Sequence, residues 1–267
     1  MPKLDASRPR YEDITETTGG GLTSEAAQMM ATRYALAAEA AAGRRVLELG
    51  CGAGLGLGLI ARRARLTVGG DYSQSLLASG RQHYGTRIPL VRLTAEHLPF
   101  KSSSFDVLLF FEATYYIPNM KHALDEITRI LASASEILFI NANPERPDFV
   151  ASPFSVHYHT GDEFRAALTQ RGFRVTVEAG FPVRSGHSPL AKLAAAILPL
   201  ARQLLTTLGL VPRTLKGRAR LKRLLYGKLM PIPAELTDGA LSESRRELMK
   251  LGPITDFKVI YVRGVRP

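Results

Sequence analysis

Val46-Leu47-Glu48-Leu49-Gly50-Cys51-Gly52-Ala53-Gly54 is the stretch from which the rest of the chain can be placed. Arg45 to Leu49, apolar with one embedded acid, reads as a buried strand. It breaks into Gly-x-Gly-x-Gly, and a helix follows from about Leu55 to Ala64. Glycines at such a turn let the backbone pass close to a ligand and present N–H groups at a helix N-terminus. Outward from this unit the pattern keeps alternating. Leu66 to Gly70 is a strand, Ser75 to His83 a helix, and Pro89 to Leu93 and Val107 to Phe111 are strands. Lys121 to Leu131 is a helix, Glu136 to Asn141 a strand, Asp162 to Arg171 a helix, and Arg174 to Glu178 and Phe257 to Arg263 are strands. Thr160 and Glu163 have the spacing of a capping box. Upstream, Thr23 to Ala42 is an Ala-rich helix with Ser24 as its expected N-cap and Gly43 at its end. This order predicts an α/β domain with a seven-stranded, mostly parallel sheet covered by helices on both faces. Ligands of such sheets bind beyond the carboxyl ends of the strands. The residues after Leu49, Gly70, Leu93, Phe111 and Asn141 are therefore the ones to weigh.

Three ligand classes compete for the glycine loop. A dinucleotide fingerprint needs Gly-x-Gly-x-x-Gly, but the sixth position counted from Gly50 is Leu55. A phosphate-cradling P-loop needs Gly-Lys-Ser/Thr, which is absent. A cationic or zwitterionic ligand accounts for Glu48, whose carboxylate can orient an ammonium group. Asp71 closes the second strand, 21 residues after Gly50, where an acid accepts hydrogen bonds from both ribose hydroxyls. A nucleoside that carries an amino acid and no phosphate fits all three features, and S-adenosylmethionine is such a ligand.

At this point the chain resembles the class I S-adenosylmethionine-dependent methyltransferases, particularly the broad small-molecule group (methyltransferase type 11-like). VLELGCGAG looks like their first motif and VGGDYSQSLL like their second. AEHLPFKSSSFDVLLFFEATYYI looks like the third and fourth, and FKVIYVRGV like their last, antiparallel strand. The likeness covers roughly residues 43–178 and 256–265. It implies a Rossmann-like sheet and a methyl-transferring enzyme. It also implies that Gly50, Cys51 and Gly52 pass under the methionine and ribose with Glu48 nearby, and that Asp71 holds the ribose hydroxyls. Tyr72, Thr94, Ala95 and Glu96 would surround the adenine, and Phe111 would lie near the sulfonium. Thr94 stands where the family often has Asp, so a hydroxyl replaces the carboxylate there.

Methyl transfer to a nucleophile mainly requires alignment and exclusion of water. A general base is needed only where the acceptor must lose a proton. Glu112, Tyr116, His157 and His159 are the candidate catalytic groups, and Tyr11 and Tyr115 the candidate acceptor contacts, with Tyr11 on an N-terminal lid hinged at Gly19 to Gly21. Glu112 has a plainer alternative as a helix-capping or lid-bonding acid, and each histidine as an exposed loop residue. No carboxylate or cysteine pattern accompanies His157-x-His159, so no metal is expected. The acceptor is expected to be a small or medium organic molecule, methylated at oxygen before nitrogen or carbon. An RNA methyltransferase and a non-catalytic cofactor-binding partner subunit are the alternatives.

The 267 residues suggest one elaborated domain. Their formal charge is +11, a balance that points to polyanions only if it is spread over the fold. It is not: no acid occurs between Ala179 and Ala234, and ten cations do. The expected organisation is a lid region over 1–43, a cofactor-binding core over 44–179 and 254–267, and a basic helical insertion over 180–253. Within that insertion, Leu190 to Val211 reads as an amphipathic helix and Leu215 to Met230 as a densely basic one. Such a segment can roof the acceptor site, lie on an anionic membrane surface or pack in a homodimer. Nucleic acid is disfavoured, because a single aromatic, Tyr226, stands among the cations where base stacking needs a series of rings. A single cysteine excludes an internal disulfide, and the absence of an apolar leader or long uncharged run gives a cytoplasmic expectation.

Overall fold

The computed structural model describes residues 20–183, 229–237, 249–250 and 254–267. Tyr11 and residues 1–19 of the expected lid, the expected Leu190–Val211 helix, and residues 215–228 of the second basic helix lie outside the described residues; Met230, expected to end that helix, is extended instead. The elements in chain order are β1 (Gly21–Leu22), α1 (Ser24–Ala40), β2 (Arg45–Leu49), α2 (Leu57–Ala61), β3 (Leu66–Asp71), α3 (Gln74–Tyr84) and β4 (Leu90–Arg92). They continue with β5 (Phe105–Phe111), α4 (Met120–Ile130), β6 (Leu131–Ala142), α5 (Gly161–Thr169), β7 (Arg174–Pro182), β8 (Met230–Pro231), β9 (Met249–Lys250) and β10 (Phe257–Arg266).

The main sheet runs β4-β3-β2-β5-β6-β10-β7-β9. Its neighbours from β4 through β6 are parallel. β10 inserts antiparallel between β6 and β7. These are the seven expected strands, with the two-residue β9 added antiparallel at the edge beside β7. The chain leaves β2 in one direction to β3 and β4, then returns to its other side as β5. That reversal opens a crevice above the carboxyl ends of β2, β3 and β5.

Alternation along each strand divides the core in two, because successive side chains point to opposite faces. Leu47, Leu49, Leu108, Phe110, Ile137, Phe139, Ile260 and Val262 pack with Leu124 and Ile127 of α4 and with Phe164 and Leu168 of α5. Val46, Val107, Leu109, Phe111, Leu138, Ile140, Val259 and Tyr261 face the other way, onto Met30, Tyr34, Ala37 and Ala38 of α1 and Leu59 and Ile60 of α2. Both faces of the central strands are covered, which is why they are apolar almost without interruption.

Three local expectations are corrected. Thr23, not Ser24, caps α1, its Oγ1 accepting from Ala26 N–H at 3.2 Å. The helix after the glycine loop is only Leu57–Ala61, since Gly54 and Gly56 favour turn over helix and the Leu55 carbonyl bonds Leu236 N–H instead. The Gly19–Gly21 hinge ends in a strand: Gly21 and Leu22 pair antiparallel with Pro231 and Met230. The Thr160–Glu163 capping box forms as its spacing predicts.

Candidate active site

The glycine loop turns because Gly50, Gly52 and Gly54 all adopt positive φ, at 67°, 58° and 86°. A Cβ on Gly50 would also lie 2.7 Å from the Ala113 Cβ. The loop is tied to the next strand by Asp71, whose Oδ2 accepts from Gly52 N–H at 2.7 Å and whose Oδ1 accepts from Ser73 N–H at 2.8 Å. Around it lies a cavity of about 390 Å³, bounded by the ends of β2, β3 and β5, one face of α1, and Ile232 and Ala234. That size suits one cofactor-sized molecule.

Glu48 is the unusual member of the lining. It is 1% exposed. Tyr34 Oη donates to its Oε1 at 2.7 Å, while its Oε2 is buried with no hydrogen-bond partner. Burial pushes the carboxyl up to about 7, against the opposing pull of the Tyr34 hydrogen bond and the Arg33 charge. A carboxylate held this way is poised to gain from a bound cation. Cys51 lies beside it; burial, then the Asp71 and Glu48 charges, hold its thiol well above the usual range and leave it unreactive.

All the sequence-assigned cofactor positions line this one cavity: Glu48, Gly50, Cys51, Gly52, Asp71, Tyr72, Thr94, Ala95, Glu96 and Phe111. Some are also engaged within the protein. Glu96 Oε1 accepts from Asn119 N–H at 2.9 Å, and Thr94 forms a bridge with His97. Tyr72 has the Arg92 guanidinium 5.8 Å from its ring centroid.

Glu112, Tyr115 and Tyr116 also reach the cavity. Glu112 sits in the left-handed region at φ 48°, where a residue with a Cβ is strained by about 1–2 kcal/mol. The conformation ends β5 and is held by Glu112 N–H donating to the Ile140 carbonyl at 2.9 Å. Its Oε2 accepts from Tyr115 Oη and from Ala142 N–H, each at 3.3 Å. Tyr115 is buried and stacks on Tyr158 with centroids 4.1 Å apart. Burial, then the Glu112 charge, pushes its phenol far up, so it remains a hydrogen-bond donor. Tyr116 Oη lies 2.6 Å from Ser152 Oγ.

The two candidate histidines are not brought into the cavity. His157 Nε2 lies 3.2 Å from Glu163 Oε1 on α5. His159 packs its ring 5.1 Å from Phe164, and burial lowers its pKa. The cause is the loop's anchoring: Val156 N–H donates to the Tyr115 carbonyl at 2.7 Å and Tyr158 stacks inward, which turns both imidazoles toward α5.

Sequence reasoning missed the α1 contribution. Ala26, Met29, Met30, Arg33 and Tyr34 all line the cavity, and their spacing is that of one helical face. The signal was present as the single Arg and Tyr on an otherwise apolar stripe. Arg33 is the only Lys or Arg among the described lining residues.

Residues 47–139 match the model of a methyltransferase domain. That stretch is similar to a methyltransferase domain. The chain is 30% identical over 148 residues to a probable S-adenosylmethionine-dependent methyltransferase of Mycolicibacterium smegmatis, covering 53% of this chain and 56% of that protein. It is 27% identical over 181 residues to an O-methyltransferase of Aspergillus nomiae, covering 62% of this chain and 77% of that one. The chain spans about half the length of the first curated relatives it matches. In three dimensions it resembles a SAM dependent methyltransferase from Archaeoglobus fulgidus, with a TM-score of 0.57, 13% identity, and coverage of 90% of this chain and 94% of that one. The fold is thus that of class I methyltransferases, and the matched residues 47–139 contribute the glycine loop, Asp71 and the β5 end of the cavity. Among the described residues, no group of His, Cys, Asp or Glu side chains could hold a metal, and no helix is long and apolar enough to cross a membrane.

Proposed function

We propose that the protein transfers a methyl group from S-adenosylmethionine to a small or medium organic acceptor of biosynthetic metabolism, at oxygen in preference to nitrogen or carbon. The observation that carries this reading is the Glu48 carboxylate, buried beside the glycine loop with one oxygen unpartnered. A phosphate would be repelled there; an ammonium is attracted. Asp71 stands within the same cavity for the ribose hydroxyls, since the two oxygens of a carboxylate offer about four acceptor sites. Arg33, on the wall formed by α1, supplies the counter-charge that the carboxylate of an amino acid requires. Glu48 and Arg33 together match a zwitterion, and the residues present fit the cofactor.

When bound, S-adenosylmethionine supplies a methyl group on a positively charged sulfur. The chain's own work is alignment and shielding. Met29, Met30, Phe111, Ile117 and Ile232 give the cavity an apolar wall that excludes water. Glu112 accepts the proton of an acceptor hydroxyl, with Tyr115 Oη and Ala142 N–H holding the carboxylate at a fixed angle. A carboxylate base at the end of β5 is what favours oxygen, and the O-methyltransferase of Aspergillus nomiae supports the same preference.

Two measurements test the proposal. Calorimetry with S-adenosylhomocysteine should give one saturable site, and its absence would remove the cofactor reading. Transfer of labelled methyl from S-adenosylmethionine across a panel of phenols, hydroxy acids and amines should give product with hydroxyl acceptors first. Binding without any transfer would put a non-catalytic cofactor-binding subunit in place of the enzyme.

A further inference from the structure

Residues 229–237 cross the edge of the cavity as a strap. Met230–Pro231 pairs with Gly21–Leu22, Ile232 N–H donates to the Gly20 carbonyl at 2.9 Å, and Leu236 N–H donates to the Leu55 carbonyl at 2.9 Å. Ile232 and Leu236 are buried in the same half of the core as Tyr34 and Phe111. Ile232 and Ala234 form part of the cavity wall. A two-residue ladder and a few backbone bonds are a weak hold for a segment this short.

Glu235 adds a different kind of hold. Its side chain leaves the cavity and meets three cationic or titratable groups on the body of the domain. Arg62 Nη1 donates to Oε1 at 3.2 Å, while Arg87 Nη2 and His83 Nε2 lie 2.9 Å from Oε2. Arg62 Nη2 also donates to the Leu236 carbonyl at 3.3 Å. The contact with α2 is so close that a Cβ on Gly58 would collide with the Glu235 carboxylate. The Glu235 side chain is only 14% exposed. A single exposed ion pair contributes little, but several charges converging on one shielded carboxylate form a network. Without Glu235, Arg62, Arg87 and His83 would lose the acid that draws them together. None of these four residues lines the cavity.

We propose that Glu235 is a positioning residue: by pinning the strap to Arg62, His83 and Arg87, it holds Ile232 and Ala234 in the cavity wall and sets how fast the cavity's ligand leaves. The inference rests on the cofactor reading for the identity of that ligand. Glu235 acts through the strap and touches none of the reacting atoms.

The test uses the full chain carrying Glu235→Gln, which keeps the side chain's shape and removes its charge. Dissociation of labelled S-adenosylhomocysteine, chased with unlabelled compound, should be roughly tenfold faster than in the wild type, with association changed by less than about twofold. Raising the salt concentration should speed release from the wild type and leave the variant nearly unaffected, because only the wild type has the network to screen. In the ligand-free protein, hydrogen exchange at the Ile232 and Leu236 amides should accelerate in the variant, while the amides of Leu47 and Leu108 at the centre of the sheet stay unchanged. Equal release rates with intact binding would overturn the proposal, and so would unaltered exchange at Ile232 and Leu236. Failure of the wild type to bind S-adenosylhomocysteine would sink the cofactor reading instead, and the exchange measurement would still decide whether Glu235 pins the strap.

Discussion

Replacing Glu48 with Gln should make the ligand-free protein more resistant to alkaline pH and at the same time a poorer binder. Burial moves the carboxyl from its ordinary value near 4.5 to about 7, which at 1.36 kcal/mol per tenfold change in proton affinity is about 3 kcal/mol held against ionisation. The folded-state pKa is raised, so between pH 4.5 and pH 7 the native protein binds more protons than the unfolded chain. Stability therefore falls as pH rises through that window and levels off above it. The Glu48→Gln variant carries no such titration. Urea unfolding of both proteins at pH 5 and pH 8 should show the wild type losing about 2.5 kcal/mol relative to the variant across that interval. The comparison is internal to each protein, so any fixed cost of placing an amide NH₂ at the unpartnered Oε2 position cancels. Binding should move the opposite way. If the ionised carboxylate is what holds the ligand's ammonium, wild-type affinity for S-adenosylhomocysteine rises about tenfold from pH 6 to pH 8 as Glu48 ionises. The variant should bind more weakly at pH 8 and show no such rise. A wild-type affinity flat over this range, or an equal slope in the variant, would refute the argument that Glu48 waits for a cation.

Tyr34→Phe removes the hydroxyl that donates to Glu48 Oε1 at 2.7 Å, a bond that lowers the carboxyl's pKa; the midpoint of pH-dependent binding should therefore move above 7, read from the same calorimetric titrations. Gly50→Ala puts a Cβ on a residue at φ 67° and 2.7 Å from the Ala113 Cβ. Thermal unfolding should show a loss of at least about 1–2 kcal/mol, and calorimetry a tenfold or greater loss of S-adenosylhomocysteine affinity. Glu112→Gln should lower kcat with a hydroxyl acceptor by about 10²–10⁴ while leaving cofactor affinity within about twofold, since the amide oxygen still accepts from Tyr115; unchanged kcat would remove Glu112 from the chemistry. His157→Ala and His159→Ala should each leave turnover within about threefold, because neither ring lines the cavity, and a hundredfold loss from either would return that loop to the mechanism.

What could be read in advance divides along a physical line. Strands β5 and β6 are visible because each contains a local apolar run, which burial on both faces enforces in the centre of the sheet, and β7 shows through its alternation of polar and apolar residues. That the expected cofactor positions share one cavity was legible for a related reason: a glycine loop and an acid at the end of the next strand are short-range features, and the sheet's register brings Glu48 beside Gly69 and Leu49 beside Gly70. Strands β1, β8 and β9 have two residues each, and no periodicity can appear in two residues. They exist only through tertiary pairing. His157 and His159 illustrate the remaining difficulty. A loop can be assigned to the correct end of the sheet while the direction of its side chains depends on an anchor elsewhere, here the Tyr115 carbonyl and the Tyr115–Tyr158 stack.

The same line explains why half of the ligand's charge went unassigned. An acid beside a glycine loop announces an ammonium, yet an amino-acid ligand is a zwitterion, and a buried cavity that satisfied only its positive end would leave a carboxylate uncompensated at a cost of several kcal/mol. The chemistry therefore requires a cation within the same walls, and none of the cations near Gly50 in the sequence provides one, since Arg44 and Arg45 pair with Glu136 and Asp106. Arg33 does, from the helix before β2, and the adjacent Tyr34 bonds Glu48 itself. On the proposed reading, consecutive residues on α1 serve opposite ends of the ligand: Tyr34 bonds Glu48, and Arg33 on the same wall faces the ligand's carboxylate. α1 also packs on β5, β6 and α2, so the counter-charge stands on a rigid element. The sequence feature that reveals it is a Tyr and an Arg breaking an Ala- and Met-rich face. It becomes readable only once the ligand's own charges are used as a constraint on which cation is missing.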